Sequence, residues 1–320
     1  MDIRGGRITG ANIIGNPAVY TFTNFTFTNA NAVGNTGPSL SSATTYYTTT
    51  PSYSGNTWVT DTNYFNVTNG IQYWTVPQTG TYTIVAAGAS GGGNVGLGAQ
   101  VTGTFTLNRN ETIRILVGQM GNVTSNIGSG GGGTFVIRTP YNTTASILAI
   151  AGGGGGQYLT QSSTLSGGSG NITGQSGGVA ASNGGGGGGT NGSGGNATNG
   201  SNTGTGQYAG GGGGFVGNGG YGGTPVSAPG GEGGYSFTNG GVGGMRYVYT
   251  AGQTTDGGFG GGGGTGARGG GGGGYNGGQG GFNTQSGYGG SSYNAGTNRS
   301  NVSNVNLGHG FATITFVAAT

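Results

Sequence analysis

The chain has no cysteine, no lysine, a single histidine and very few charges, with eight arginines and five acidic residues among 320. Without cysteine there is no disulfide framework, no thiolate nucleophile and no cysteine-based zinc site, so thiol usage gives no redox compartment. Without lysine a Gly-Lys-Ser/Thr phosphate loop is excluded. The net charge of +3 and the pI of 9.1 come from a handful of groups and create no strong field, so no nucleic-acid partner is expected. Arg4-Gly5-Gly6 and Arg268-Gly269-Gly270 stand alone, whereas RNA-binding segments of that kind carry many arginines. Nowhere do 18 apolar residues run together, and Met1 to Arg7 lack the apolar stretch of a secretory signal, so the reading is of no membrane span and no signal in the chain given.

Glycine dominates what is present: 89 residues, against about 7% in ordinary proteins. The rest of the composition argues against disorder. Disordered chains combine low hydrophobicity with high net charge and few aromatics, but this one is 31% hydrophobic and 10% aromatic.

Alternation of apolar and polar residues marks strands. Tyr20 and Phe22 fall on one parity and Phe25 and Phe27 on the other, which a bulge near Asn24 reconciles. Residues 29–63, rich in Thr, Ser, Asn and Tyr, read as loops and short edge strands outside the core. Ile71 to Val76 and Thr81 to Ala86, joined through Pro77-Gln78-Thr79-Gly80, read as a hairpin with Tyr82, Ile84 and Ala86 on one face. Val101, Gly103, Phe105 and Leu107, followed after Asn108-Arg109-Asn110 by Ile113, Ile115 and Val117, read as a second hairpin. Further strands are expected at 135–137, at 147–150, near 245–250 from Met245, Tyr247 and Tyr249, and at the end from Ala312, Ile314 and Phe316. No segment combines helical periodicity with helix formers, so essentially no α-helix is expected.

From 151 to 295 the sequence becomes runs of glycine, among them 152–156, 184–189, 210–214, 260–264 and 269–274. Flexible linkers are made this way, but this stretch is too long for a linker within a compact domain. Its runs are also closed repeatedly by aromatics, at Tyr158, Phe215, Tyr221, Tyr235, Phe259, Tyr275, Phe282 and Tyr288. Ordering a glycine costs about 0.5–1 kcal/mol more than ordering an alanine, so something periodic must offset it. An extended left-handed helix with three residues per turn makes no internal hydrogen bonds and points every amide and carbonyl outward. Such segments can bond sideways to one another where no side chain separates their axes. At about 1 kcal/mol net per bond the balance closes only if nearly every group is paired. The chain therefore divides into an arm (1–17), sandwich strands with the first glycine insertions (18–150), a glycine bundle (151–295) and a closing strand (296–320).

Tyr82-Thr83-Ile84-Val85-Ala86-Ala87-Gly88, Gly103-Thr104-Phe105-Thr106-Leu107, Ile115-Leu116-Val117-Gly118-Gln119, Gly131-Gly132-Gly133-Thr134-Phe135-Val136 and Ile150-Ala151-Gly152-Gly153 follow one another in a recognisable order. So do Gly257-Gly258-Phe259 and the run 269–274 leading to Tyr275-Asn276-Gly277. This order resembles the glycine-rich domain in the ectodomains of anaplastic lymphoma kinase and leukocyte tyrosine kinase. The resemblance implies an all-β fold, a jelly-roll-like β-sandwich with an inserted bundle of polyglycine-II helices. The lack of cysteine, of a kinase and of a membrane span argues against a receptor role. Phe27 to Asn31, Gly37-Pro38-Ser39-Leu40 and Gly70 to Pro77 resemble glycine-rich proteins encoded by large DNA viruses and some phages.

Chemistry is sparse. His309 stands just before the final strand, and no nucleophile-elbow sequence accompanies it or Asp61 or Asp256, so no catalysis is expected. Asp2, Asp61, Glu111, Glu232 and Asp256 are scattered singly, without calcium-loop spacing, and no metal or other cofactor is expected. Gly-x-Gly-x-x-Gly patterns follow from the glycine content alone and lie in no βαβ unit. Asn-x-Ser/Thr triplets occur at Asn24, Asn66, Asn110, Asn122, Asn142, Asn171 and Asn298. Tyr221, Tyr275 and Tyr288, at the ends of glycine runs, are the candidate ligand contacts, because a phenol can stack on a sugar as well as on the bundle. The functional expectation is a virion component exposed to the outside: a capsid-associated, fibre or spike protein. Its expected partners are other virion or capsid proteins and host surface glycans or receptors; oligomeric state is left open, a homo-oligomer such as a trimer being one outcome, with the arm either tying subunits together or anchoring to a capsid. An extracellular adhesion or cytokine-type recognition module is the alternative, and an ice-binding or cell-wall glycine-rich protein a remote third.

Overall fold

Sheet formation follows the alternating segments closely. The computed structural model describes residues 18–93, 96–158, 187–197, 209–222, 230–246, 255–266, 268–281 and 285–320. The arm at 1–17, Tyr247, Tyr249, Asn171 and Phe282 lie outside them.

One sheet contains β1 (Asn24–Phe27), β4 (Gly80–Ala87), β5 (Gly98–Leu107), β12 (Thr297–Asn306) and β13 (Phe311–Ala319). The other contains β2 (Phe65–Thr68), β3 (Ile71–Thr75), β6 (Thr112–Leu116), β9 (Thr134–Arg138), β10 (Ile147–Ala151) and β11 (Tyr293–Asn294). Their orders are β1-β13-β4-β5-β12 and β11-β10-β9-β6-β3-β2, and β7 (Val123–Thr124) with β8 (Ile127–Gly128) forms a short ribbon apart. The two large sheets pack face to face as a β-sandwich. Tyr82, Ile84, Ala86 and Ile314 from the first meet Trp74, Ile113, Ile115 and Val136 from the second in one buried cluster. The parity change in the first aromatic segment is present: Phe22, Phe25 and Phe27 are buried while Thr23 and Asn24 are exposed, and the strand proper begins at Asn24.

Neither expected hairpin forms. β3 pairs with β6 and β4 with β5, so each turn carries the chain from one sheet to the other. The two turns run side by side, the Val76 amide donating to the Glu111 carbonyl at 2.8 Å and the Asn110 amide to the Val76 carbonyl at 2.9 Å. A two-stranded ribbon is thus folded over on itself. The physical reason is burial: crossing over places Trp74 and Tyr82 on facing sheets, edge to face with ring centroids 5.9 Å apart, whereas a hairpin would set them side by side in one sheet. The end of the chain also differs from expectation, supplying two strands, β12 and β13, instead of one. Met245 and Arg246 are not in a strand, and residues 247–250 lie outside the described ones.

Residues 29–63 correct the reading of loops outside the core. They form α1 (Leu40–Thr49), followed by single turns of 3₁₀ helix at Pro51–Tyr53 and Thr57–Thr60. Ser39 caps α1 in a reciprocal box with Ser42. Ala43 and Tyr47, four residues apart, are its buried face. Tyr47, Tyr53 and Trp58 each place a ring within 5.0 Å of Phe25, so this segment closes one end of the sandwich. Tertiary aromatic packing here overrides the poor helix propensity of Thr and Ser.

The second sheet is buried on both faces. On the side away from the sandwich interior, Leu116, Phe135, Ile137 and Ile150 form a second apolar cluster with Phe215, Phe237, Phe259 and Tyr275. All four of the latter come from the glycine-rich stretch, so its aromatics fasten it to the sheet.

There, and in the earlier insertion at 128–133, the glycine segments bond sideways with a period of three. The amides of Gly128 and Gly131 donate to Gln157 and Gly154, those of Ser129 and Gly132 to Asn122 and Gln119, and those of Gly130 and Gly133 to Gly263 and Gly260. Three antiparallel neighbours are reached in rotation. The segment 270–275 does the same with parallel neighbours: Gly270 and Gly273 bond to Gly128 and Gly131, Gly271 and Gly274 to Gly210 and Gly213, and Gly272 and Tyr275 to Tyr288 and Ser291. Its own carbonyls accept from Gly153, Gly156, Gly263 and Gly278, so it is enclosed on all sides. No side chain fits there. A Cβ at Gly271, Gly272 or Gly273 would lie 2.1, 2.3 and 2.0 Å from the carbonyl oxygens of Gly278, Gly153 and Gly260.

Candidate functional site

The outer side of the bundle is where side chains return. Three neighbouring segments carry the same spacing: Asn218-Gly219-Gly220-Tyr221, Glu232-Gly233-Gly234-Tyr235 and Val242-Gly243-Gly244-Met245. They are laced antiparallel, the Gly219 and Gly222 amides donating to Gly234 and Gly231, and the Glu232 and Tyr235 amides to Met245 and Val242. Because the backbone bonds recur every third residue, positions i and i+3 share a face. The intervening glycines leave no room for side chains: a Cβ on Gly219 would meet the Gly211 carbonyl oxygen at 2.1 Å, one on Gly233 that of Gly219 on the adjoining segment at 2.0 Å, and one on Gly243 that of Gly257 at 2.0 Å. The result is two ranks of side chains on a floor of bonded glycine backbone, Tyr221, Glu232 and Met245 in one and Asn218, Tyr235 and Val242 in the other.

All six reach the surface to some degree, led by Met245 at 55% and Tyr221 at 53% exposed. The Glu232 carboxylate raises the Tyr221 phenol above its ordinary range, with partial burial and the neighbouring Tyr235 hydroxyl adding to it. The lacing of Gly219 to Gly234 and of Gly222 to Gly231 sets Tyr221 beside Glu232, with Tyr235 on the same neighbouring segment. Asn218 is oriented from behind, its Oδ1 accepting from the Ser236 amide at 2.9 Å and from Asn239 Nδ2 at 2.9 Å. Arg246, at the edge of the array, pairs with Asp256 at 3.9 Å.

Of the three tyrosines named from sequence, only Tyr221 presents an open ring. Tyr275 is 7% exposed and Tyr288 3% exposed, so neither presents an open ring face at the surface. Tyr275 packs into the apolar cluster on the second sheet with its ring 4.9 Å from that of Tyr293. Tyr288 donates its hydroxyl to Gln285 Oε1 at 3.2 Å, and burial raises its phenol above the usual range. Glu232, Tyr235 and Asn218 were not singled out in sequence, although the thrice-repeated x-Gly-Gly-x spacing was there to find them.

His309 is half-buried, and burial lowers its imidazole below the ordinary range. Its Nδ1 accepts from the Met120 amide at 3.1 Å, which leaves that nitrogen no hydroxyl nucleophile to activate. Asp61 accepts from the Asn63 amide and side chain at 2.9 Å, and Asp256 from the Arg246 amide at 2.8 Å. Among the described residues no three His, Asp or Glu come together as metal ligands. No helix among them is long and apolar enough to cross a membrane. A shallow cavity of about 470 Å³ opens between the start of α1 and the bundle, lined by Pro38, Ser39, Asn69, Asn239, Val242 and Phe259. No protein-family model matches the chain.

Proposed function

We propose that this protein is a non-enzymatic structural component of a virion, held on the particle's outside as a capsid-associated, fibre or spike element and presenting its glycine bundle to the host. In this reading the sandwich is a jelly roll that serves as the mount, and the glycine segments are polyglycine-II helices. The folded-over ribbon of β3, β4, β5 and β6 supports the first identification, and the three-residue rotation of hydrogen bonds supports the second. The observation that carries the functional reading is the division of labour in the bundle. Its glycine segments are joined largely through backbone, and among the described residues its side chains include an apolar set against the sandwich and an array that faces outward. Such a platform is suited to contact and not to turnover. Partners in this role are other capsid proteins and copies of itself on one side, and host surface glycans or receptors on the other.

Mass spectrometry of purified particles against infected-cell lysate tests the proposal. Enrichment in the particles, together with surface labelling by antibody on intact ones, is the expected result. Presence in lysate with none in particles refutes it.

A further inference from the structure

Resting on the reading of the bundle as an outward platform, we infer that the array of Asn218, Tyr221, Glu232, Tyr235, Val242 and Met245 binds a neutral saccharide. The argument begins with what the floor does. Hydrogen bonds on both sides hold each of the three segments in place, so their side chains project from fixed backbone and little ordering remains for binding to impose. Successive ranks are about 9 Å apart, three residues at about 3.1 Å each, which is wider than one pyranose ring and short of two. One sugar ring can lie over the two ranks.

The chemistry then selects the class. An exposed phenol offers a flat, electron-rich face to the C–H face of a pyranose and a hydroxyl at its rim. Tyr221 and Tyr235 stand diagonally across the array, each partly exposed. The Glu232 carboxylate beside Tyr221 can accept two hydroxyl protons from vicinal positions, and charge-assisted bonds of that kind are roughly twice as strong as neutral ones. Its charge decides against acidic sugars. Arg246, next to Met245, is already paired with Asp256, so among the described residues a sialylated or sulfated glycan would meet the Glu232 carboxylate beside an arginine that is engaged elsewhere. A protein partner would be met by a larger and more apolar surface than these six side chains supply. Met245 and Val242 bound the array on its third segment and exclude water from one side of the sugar.

The test uses the full chain on a printed panel of neutral, sialylated and sulfated oligosaccharides, followed by saturation-transfer NMR and calorimetry with the best neutral sugar. Binding confined to neutral glycans is expected, with Tyr221→Ala weakening it at least tenfold and Glu232→Gln several-fold. Leu307→Ser, at a residue 62% exposed elsewhere, should leave affinity unchanged and serves as the control. Unaltered thermal unfolding of Tyr221→Ala establishes that the loss is local, and if that variant fails to fold, Tyr221→Phe and Glu232→Gln provide the same comparison. Binding of acidic glycans only, binding of none, or full affinity in Tyr221→Ala overturns the inference. The virion reading fails separately, by absence from particles, and a protein that binds neutral glycans but is missing from particles would keep this site and lose that role.

Discussion

Replacing Gly271 by alanine puts one methyl group into the middle of the bundle, where its Cβ would stand 2.1 Å from the Gly278 carbonyl oxygen and 2.7 Å from the Gly212 amide nitrogen. Ordinary contact begins near 3.4 Å, so a segment must move by more than 1 Å. That displacement breaks the Gly271 amide bond to Gly210, 3.0 Å long, and the Gly263 amide bond to Gly271, 2.8 Å long. Each buried group left unpaired costs about 1–3 kcal/mol, or roughly 2–6 kcal/mol for two. The alanine returns about 0.4–1 kcal/mol by restricting the unfolded chain. A net loss of roughly 2–5 kcal/mol is expected. Gly55→Ala is the reference, because that residue has φ +89° and open space around its missing Cβ, so only the left-handed backbone penalty of about 1–2 kcal/mol applies. Guanidinium unfolding followed by circular dichroism compares the two. Fluorescence of Trp58 and Trp74, both in the sandwich core, reports whether the sandwich survives loss of the bundle. If Gly271→Ala is no more destabilising than Gly55→Ala, the interior is not packed as described.

Further outcomes are expected elsewhere. Phe259→Ala, at a fully buried ring that fastens the bundle to the second sheet, should cost about 3–5 kcal/mol by denaturant unfolding, and a loss under 1 kcal/mol would show the bundle held by other means. Tyr47→Phe removes a hydroxyl that donates to Gln72 Oε1 at 2.8 Å and accepts from the Thr28 amide at 2.9 Å, leaving buried partners unpaired, so a loss of about 1–3 kcal/mol should follow, and neutrality would show water replacing it. Burial pushes the Tyr53 and Tyr82 phenols to about 12 and raises Tyr20 and Tyr47 as well. Above pH 10 the unfolded chain therefore loses protons that the folded one retains, and stability should fall as pH rises from about 10 upward. Ultraviolet titration of the native protein should leave these phenols un-ionised at pH 11, and full ionisation there without unfolding would contradict their burial. His309 has the opposite sense: with its folded pKa below that of the unfolded chain, its contribution is present at neutral pH and lost as pH falls through the interval beneath about 6.5. His309→Asn should flatten that part of the stability profile.

The strands were legible because their signal is local. Tyr82, Ile84 and Ala86, or Ile113 and Ile115, alternate within a few residues and lie on one buried face, as period two requires. Their partners were not legible, since a turn sequence such as Pro77-Gln78-Thr79 bends the chain without stating whether the next strand lies beside the last or across from it. That choice is made by burial of Trp74 against Tyr82, a contact between sheets. The helix at Leu40–Thr49 escaped for a related reason: its residues are poor helix formers, and only the cap at Ser39 and the pair Ala43 and Tyr47 mark it. The bundle was readable as a physical necessity, since so much glycine needs lateral bonds to be ordered. The array on its outer face required knowing which segments are neighbours. Tyr221 was identifiable from its place at the end of a run, but Tyr275 and Tyr288 share that place and are buried, because position in a run does not say which side of the segment meets solvent.

Hydrogen exchange of the intact protein, resolved to peptides covering 128–133, 151–157, 210–215 and 270–275, tests the central claim most directly. Amides paired in rotation with their neighbours should exchange as slowly as those of β4 and β13 in the sandwich. Exchange within seconds across those glycine segments, while the sandwich strands stay protected, would contradict the claim that bonded backbone forms this protein's second interior.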